Sequence, residues 1–448
     1  MELQFVWLSC TSLERHNNEE DMSEKILLRS GRLIDPSRHI DVVTDILIVD
    51  GRIDSIQEKI SADKQTREID LTGKIIAPGF IDIHVHLREP GYEHKETIQT
   101  GTLSAAYGGF TAVCCMPNTN PAIDDESIVT FIQTQARLAN DGIVDVYPVG
   151  SVSKKREGKS LAPIAELVNA GAIGLSDDGA PVFDAQLMRR ALEYAMMYNV
   201  PIMQHCEIPE LAHGGVMNEG IISTELGLPG IPGVAEEIMI ARDLILAEYT
   251  NARYHVCHMS TAKAVDLVRQ GKKKGIKVTS EVTPHHFTLT EEIVRSYDTN
   301  TKMNPPLRTK DDIEAVKQGL QDGSIDVIAT DHAPHSLDEK DVDYVQAPFG
   351  IVGLETAIGL AMVELVEQKY LTIAQLIEKF STNPRKIIGK EIRIAEGEAA
   401  NVTFIDPDVQ WTVETSKFKS KSKNSPFNGR RLKGKSIGIM NHSKIMMY

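Results

Sequence analysis

Two histidines separated by one residue, in the stretch FIDIHVHLREPG from Phe80 to Gly91, could share a metal ion. In a strand, residues i and i+2 lie on one face with Cα atoms roughly 6.6 Å apart. Imidazoles leaning together from such positions can both reach a cation at about 2.0–2.1 Å. Asp82, His84, His86 and Arg88 share that parity, and Ile81, Ile83, Val85 and Leu87 share the other. An isolated HxH pair equally suits two hydrogen-bonded core histidines. That reading weakens with each further apolar run that ends in His or Asp, and several do. QHCE carries His205, CHMS carries His258, and TDHAPH carries Asp331 and His335.

Four imidazoles and a carboxylate suit zinc, and they also accept manganese, iron or cobalt. Five side chains exceed the usual ligand set of a catalytic zinc, so a pair of metals is expected. A pair needs a bridging anion, and Ser176-Asp177-Asp178-Gly179 offers candidates, although Asp177 and Asp178 by themselves read as a capped turn. The remaining histidines are expected to do less. His255 has the opposite parity to His258 and should face a helical layer, and His285 and His286 should support ligands rather than ligate. His16, His39, His94, His213 and His442 lie outside the run ends and should be solvated. Cys206 and Cys257 adjoin ligand candidates with opposite parity and read as small packing residues.

The elements that must bring these residues together alternate along the chain. Short apolar runs (FIDIHVH, FTAVCCMPN, VDVYPVGSV, AIGLSDDG, VPIMQHCE, ARYHVCHMS, KVTSEVTPHH, DVIATDHAPH) are separated by helical patterns such as AQLMRRALEYAMMYN and AEEIMIARDLILAEY. Eight β-α alternations fit a (β/α)8 barrel. The alternative, a doubly wound sheet, lacks the glycine-rich GxGxxG after its first strand. In a barrel the strand C-termini form one face, where active sites are built, and that is where the polar residues fall.

Short strand-like segments flank this middle on both sides: ILLRSGRLID, DILIVDGRIDSIQ and EIDLTGKIIAPG before it, ANVTFIDPD and RRLKGKSIGIM after it. The expected organisation is therefore a barrel over 78–389 and a small β-sandwich built from 22–77 plus 390–448. Residues 1–21 read as a disordered extension without a convincing signal peptide, with Met22 an alternative start. A net charge of −15 argues against a nucleic-acid binder. No apolar run is long enough to span a bilayer, and five scattered cysteines without CxxC suggest a reduced, cytoplasmic setting.

DIHVHLREPG and ATDHAPHSLDEK resemble the two signature segments of dihydroorotases, within the metal-dependent amidohydrolase superfamily, and MPNTNP, SDDG, QHCE, CHMS, EVTPHH and NPPLR extend the similarity. The resemblance implies a hydrolase that reversibly closes N-carbamoyl-L-aspartate to L-dihydroorotate and water in pyrimidine synthesis. It implies one or two zinc ions per subunit, two favoured, with His84, His86 and Asp331 at the first and His205 and His258 at the second. Many relatives bridge the metals with a carbamylated lysine on the fourth strand. GAIGLSDDG has none, which places the chain with the bacterial type that uses an aspartate, matching Asp178, and leaves the metal count open.

Asp331 matches the group that moves the proton. Arg88 lies just beyond His86, where its fork can hold a carboxylate. His86, Arg88, Asn118, Asn304 and His335 match substrate contacts, and the backbone at Phe349 and Gly350 matches contacts to the ring amide. A homodimer is implied, and association with aspartate transcarbamoylase occurs in some relatives. Hydantoinases, dihydropyrimidinases and allantoinases are the alternative enzymes, but they generally carry the missing lysine. A non-catalytic scaffold of this fold is opposed by the full ligand set. The segment 336–348, rich in Asp and without periodicity, is expected as a mobile flap.

Overall fold

A computed structural model describes residues 24–448. The expected extension at 1–21 and the alternative start at Met22 lie outside the described residues. Five strands come first: β1 (Lys25–Asp35), β2 (Ile40–Val49), β3 (Arg52–Gln57), β4 (Arg67–Asp70) and β5 (Ile75–Pro78). Asp50 and Gly51 turn β2 into β3 with φ of 50° and 74°, the conformation that a two-residue hairpin loop needs to follow strand twist. Parallel strands follow: β6 (Phe80–Val85), β7 (Phe110–Cys115), β8 (Asp145–Pro148) and β9 (Ile202–Gln204). A small pair, β10 (Met217–Asn218) and β11 (Gly230–Ile231), precedes β12 (Tyr254–Val256), β13 (Val278–Val282) and β14 (Val327–Ile328).

The last strands, β15 (Val402–Thr412), β16 (Arg431–Asn441) and β17 (Lys444–Met447), return to the first ones. They make one mixed sheet in the order β17-β16-β15-β5-β1-β2-β3, with β4 beside β1. One face of this sheet buries Leu28, Ile48, Ile76 and Phe404 in its own cluster. The other sends Ile75, Ala77, Ile405 and Ile439 into the main core.

The middle of the chain is parallel and mixed α/β. Strands β6-β7-β8 pair in one group and β9-β12-β13-β14 in another. Single parallel bridges, Gly150 with Leu175 and Leu175 with Ile202, link β8 to β9, and Val85 with His332 links the residues after β14 to β6. The fourth apolar run therefore contributes a bridging residue rather than a strand. Asp177 accepts from the amides of Val152 and Ser153, and the Ser176 hydroxyl accepts from the Asp178 amide. Side-chain acceptors there take amides that a ladder would use.

Both faces of the parallel strands are buried. Ala112, Cys114 and Met116 join Val149, Met203 and Val327 in a cluster made mainly of strand residues, whereas Val113 and Cys115 face the helices. This is why the runs read as nearly continuous apolar text. Helices Ile98–Gly108, Glu126–Leu138, Ala185–Met197 and Lys310–Asp322 open on Thr97, Asp125, Asp184 and Thr309, whose side chains accept first-turn amides. No helix among the described residues is long and apolar enough to cross a membrane.

Strand β6 departs from the simple alternation expected of it. Ile81 and Ile83 enter the strand cluster, but Val85 and Leu87 enter the helix-facing one. Its pairing with β7 slips between Asp82 and Val85, and a slip turns every later side chain over. Asp82 lies before the slip and does not share the histidine face; it accepts from the amides of His84 and Thr330.

The segment 336–348 is tied down in this structure. Lys340 Nζ donates to the carbonyls of Thr299 at 3.1 Å and Pro348 at 2.8 Å. Lys302 Nζ donates to those of Tyr344 and Val345 at 2.9 Å each.

Candidate active site

His84 and His86 lie at the C-terminal end of β6 and gather with side chains from four other segments. His86 Nε2 lies 2.8 Å from Asp331 Oδ1, and His84 Nε2 lies 3.5 Å from the same oxygen. Asp178 stands between two histidine groups. Its Oδ1 is 3.3 Å from His84 Nε2 and 3.7 Å from His258 Nε2, and its Oδ2 is 3.5 Å from His86 Nε2. His205 Nδ1 faces His258 Nε2 at 3.0 Å. All six side chains are buried.

Burial disfavours charge on every group here, so the carboxylates and imidazoles settle one another. Burial pushes the Asp178 carboxyl up, but His84 and His258 outweigh it and hold it well below the usual range. Asp331 is likewise held down against burial by His84 and His86. Burial also lowers His86 and His205, which keeps their ring lone pairs free. His84 and His258 go the other way: burial lowers both, but Asp178, Glu281 and Asp331 together raise His84 well above its ordinary value, and Asp178 raises His258.

The donor set fits a divalent cation. His84 Nε2 and Asp178 Oδ1, both turned into the cluster, are buried without a hydrogen-bond partner, which is costly unless something else satisfies them. Ligand atoms of His84, His86 and Asp331 lie within 4.8 Å of one another, as do those of His84, Asp178 and His258.

Arg88 follows at φ 62°, with His258 at 31° and Asp331 at 45°, all in the left-handed region that side chains other than glycine's rarely enter. Backbone held there marks sites where side-chain placement outweighs local comfort. Arg88 Nε donates to the Pro334 carbonyl at 3.2 Å, and Nη2 lies 3.5 Å from His335 Nε2. Burial and the Arg88 charge push the His335 imidazole down to about 2, so it stays neutral. Its Nε2 donates to the Phe349 carbonyl at 2.8 Å. Asn118 Oδ1 accepts from His86 Nδ1 at 2.8 Å, and Asn304 Nδ2 reaches Glu207 at 2.9 Å and His205 Nε2 at 3.4 Å. Arg88, Asn118, Asn304, His335, Phe349 and Gly350 line one cavity of ≈ 330 Å³ together with the cluster residues other than His84.

Other expectations divide. His39, His94, His213 and His442 are exposed; His16 lies outside the described residues. His285 and His286 are buried, and His286 is spent on Thr283 and the Pro305 carbonyl. Cys206 bonds the Tyr254 hydroxyl and Cys257 packs in the strand cluster. His255 does not face the helices. Its Nε2 lies 3.1 Å from Glu281 and its Nδ1 2.8 Å from Thr279, because Tyr254 and Val256 take the helix-facing side of β12 and the left-handed backbone at His258 breaks the alternation after it.

Glu281 itself was not singled out from the sequence. It is fully buried, takes His84 Nδ1 at 2.6 Å, and so fixes which His84 nitrogen faces the cluster. The available signal was a lone carboxylate inside the apolar run KVTSEV.

Against known proteins, residues 73–264 match the family described as Dihydro-orotase-like. The chain is 49% identical to the dihydroorotase of Acetivibrio thermocellus over 410 residues, 91% of this chain and 96% of that protein. It is 51% identical to that of Geobacter sp. strain M21 over 413 residues, 92% and 96% of the two chains. The chain belongs to the dihydroorotase family.

Solved structures of similar fold include the L-hydantoinase of Arthrobacter aurescens, with TM-score 0.84, 24% identity, and 95% and 96% of the two chains covered. The dihydropyrimidinase of Brevibacillus agri matches at TM-score 0.80 and 22% identity over 94% and 95%. The chain thus shares its mixed α/β fold with these hydantoinase and dihydropyrimidinase structures. Its identity to them is half that to the dihydroorotases or less.

Proposed function

We propose that the chain is a dihydroorotase, interconverting N-carbamoyl-L-aspartate and L-dihydroorotate plus water. Dihydroorotase relatives at about half identity over nine-tenths of the chain support this over a hydantoinase or allantoinase. The observation that carries the reading is that His86, Arg88, Asp178, His258 and Asp331 line one cavity sized for a small molecule.

His84, His86 and Asp331 would hold one divalent cation and His205 and His258 a second, with Asp178 between them; zinc is the expected ion, and two the favoured number. Such a cation supplies Lewis acidity toward the ring carbonyl and toward the attacking water. In the hydrolytic direction Asp331, kept ionised by its histidine neighbours, takes a proton from the attacking water. As the carbonyl carbon–nitrogen bond breaks, Asp331 returns that proton to the departing nitrogen, a general base then acid sequence. Cyclisation runs the same steps in reverse and releases the water. Arg88, with Nε occupied by Pro334, turns its remaining donors toward the cavity to hold the carboxylate. Neutral His335, Asn118 and Asn304 add hydrogen bonds, and the backbone of Phe349 and Gly350 meets the ring amide.

The parallel pairings and single bridges support reading the middle as a closed (β/α)8 barrel over 78–389. The separate apolar cluster of the mixed sheet supports a second domain from 22–77 and 390–448. A homodimer finds support in helix Val234–Thr250, where Val234, Ile238, Ile245 and Tyr249 are exposed. Their spacing is symmetric about Ala241 and Arg242, so an antiparallel two-fold pairing sets Ile238 against Ile245 of a second copy.

An assay in both directions, with metal content determined on the same sample, tests the reading. Dihydroorotate should turn over faster than hydantoin or allantoin, and the reverse order would overturn it.

A further inference from the structure

The substrate cradle comes from two separate stretches, Ala333–His335 and Phe349–Gly350, and one distant side chain is bonded to both. Asn424 Oδ1 accepts from the His335 amide at 3.0 Å. Its Nδ2 donates to the carbonyls of Ala333 and Gly350, each at 3.0 Å. Its own carbonyl accepts from the Val352 amide at 3.0 Å. The residue is buried at 4% exposure, far from the metal-ligand cluster in sequence and not among the groups that line the cavity.

The geometry points to Asn424 as a positioning residue that sets the separation between the His335 side and the Phe349–Gly350 side of the cradle. This rests on reading His335, Phe349 and Gly350 as substrate contacts. The chemistry of the side chain matches the task. One acceptor and two donors are needed in a single plane, which an amide supplies and a carboxylate of the same shape does not. The two stretches approach closely at this point: a Cβ added at Gly350 would stand 2.6 Å from the Ala333 carbonyl oxygen. Besides Asn424 they are joined by one bridge, His332 with Ile351, where the Ala333 amide donates to the Ile351 carbonyl at 3.0 Å, and by the His335 Nε2 bond to the Phe349 carbonyl. A change in their separation would move the His335 ring, which touches both Phe349 and Arg88.

The test uses the full-length, metal-loaded enzyme and the variants Asn424→Ala, Asn424→Asp, His335→Ala and the double variant Asn424→Ala/His335→Ala. Metal content and thermal midpoint are measured beside kcat and KM in both directions. Asn424→Asp keeps the shape and the acceptor but turns a carboxylate toward two carbonyls, so it separates hydrogen bonding from packing and serves where Asn424→Ala does not fold. Both Asn424 variants should raise KM about tenfold, the loss expected from one or two buried hydrogen bonds, with kcat nearly unchanged and metal content normal. The double variant should be little worse than His335→Ala, because residues acting through one contact are not additive. A normal KM in Asn424→Asp beside an impaired His335→Ala, or fully additive losses, would overturn the role of Asn424 alone. A normal KM in His335→Ala would overturn the cradle reading, and this inference with it.

Discussion

The Asp331 carboxylate stands 2.8 Å from the His86 ring on a backbone held at φ 45°. Asparagine tolerates that left-handed conformation better than most residues, so Asp331→Asn removes the charge while sparing the backbone. Turnover should fall by about a thousandfold or more, the scale of a lost general acid–base group, with the circular dichroism spectrum unchanged. Turnover within tenfold of wild type would remove Asp331 from the proton path.

Arg88→Lys keeps a positive charge but loses the planar fork. The KM for dihydroorotate should rise by about tenfold or more while metal content stays normal, because a point charge cannot make two parallel hydrogen bonds. Steady-state kinetics beside metal analysis checks this, and a silent variant would end the carboxylate-clamp assignment.

Glu281→Gln leaves volume intact and removes the charge behind His84. Metal affinity should drop by about 10–100-fold, as for other carboxylates that orient a metal-bound histidine. Dialysis against graded chelator, followed by metal analysis, reads the effect directly; retention equal to wild type would show Glu281 to be a packing residue.

His286 gives the protein an acid-sensitive element. Burial pushes its imidazole down to about 3, against about 6.5 in the unfolded chain. The unfolded state therefore binds the extra proton between these values. The stability that neutral His286 contributes is complete above about pH 6.5 and is lost as pH falls toward 3, by at most about 1.4 kcal/mol per pH unit. Denaturant titrations from pH 7 to 4 should show a shallower decline in His286→Gln than in wild type.

Ile245→Glu places a charge on the apolar stripe of helix Val234–Thr250. The wild type should sediment as a dimer and the variant as a monomer, with the melting temperature lowered only by loss of association. An unchanged sedimentation coefficient would send the dimer surface elsewhere.

That these histidines and aspartates gather at one place was legible because each member ends an apolar run, and parallel strands that bury both faces leave such a residue few other surroundings. Parity was a weaker guide. It paired Asp82 with the histidines and misplaced His255, because a slip inside β6 and the left-handed backbone at His258 are local departures that alternation does not encode. The fourth run looked like a strand, but its Ser and Asp side chains compete for the amides a strand would use. Asn424 gave no local sign, since its partners lie about 75 to 90 residues away and are mostly backbone atoms.

The pairing of β5 with β1 on one side and β15 on the other has a consequence for biosynthesis. During translation the first sheet cannot close its seam until about the final tenth of the polypeptide, from Val402 on, leaves the ribosome, so β5 waits with an open edge while the middle of the chain condenses. Such an edge invites pairing between nascent chains. Premature termination ahead of β15 should therefore yield insoluble product rather than a smaller working enzyme.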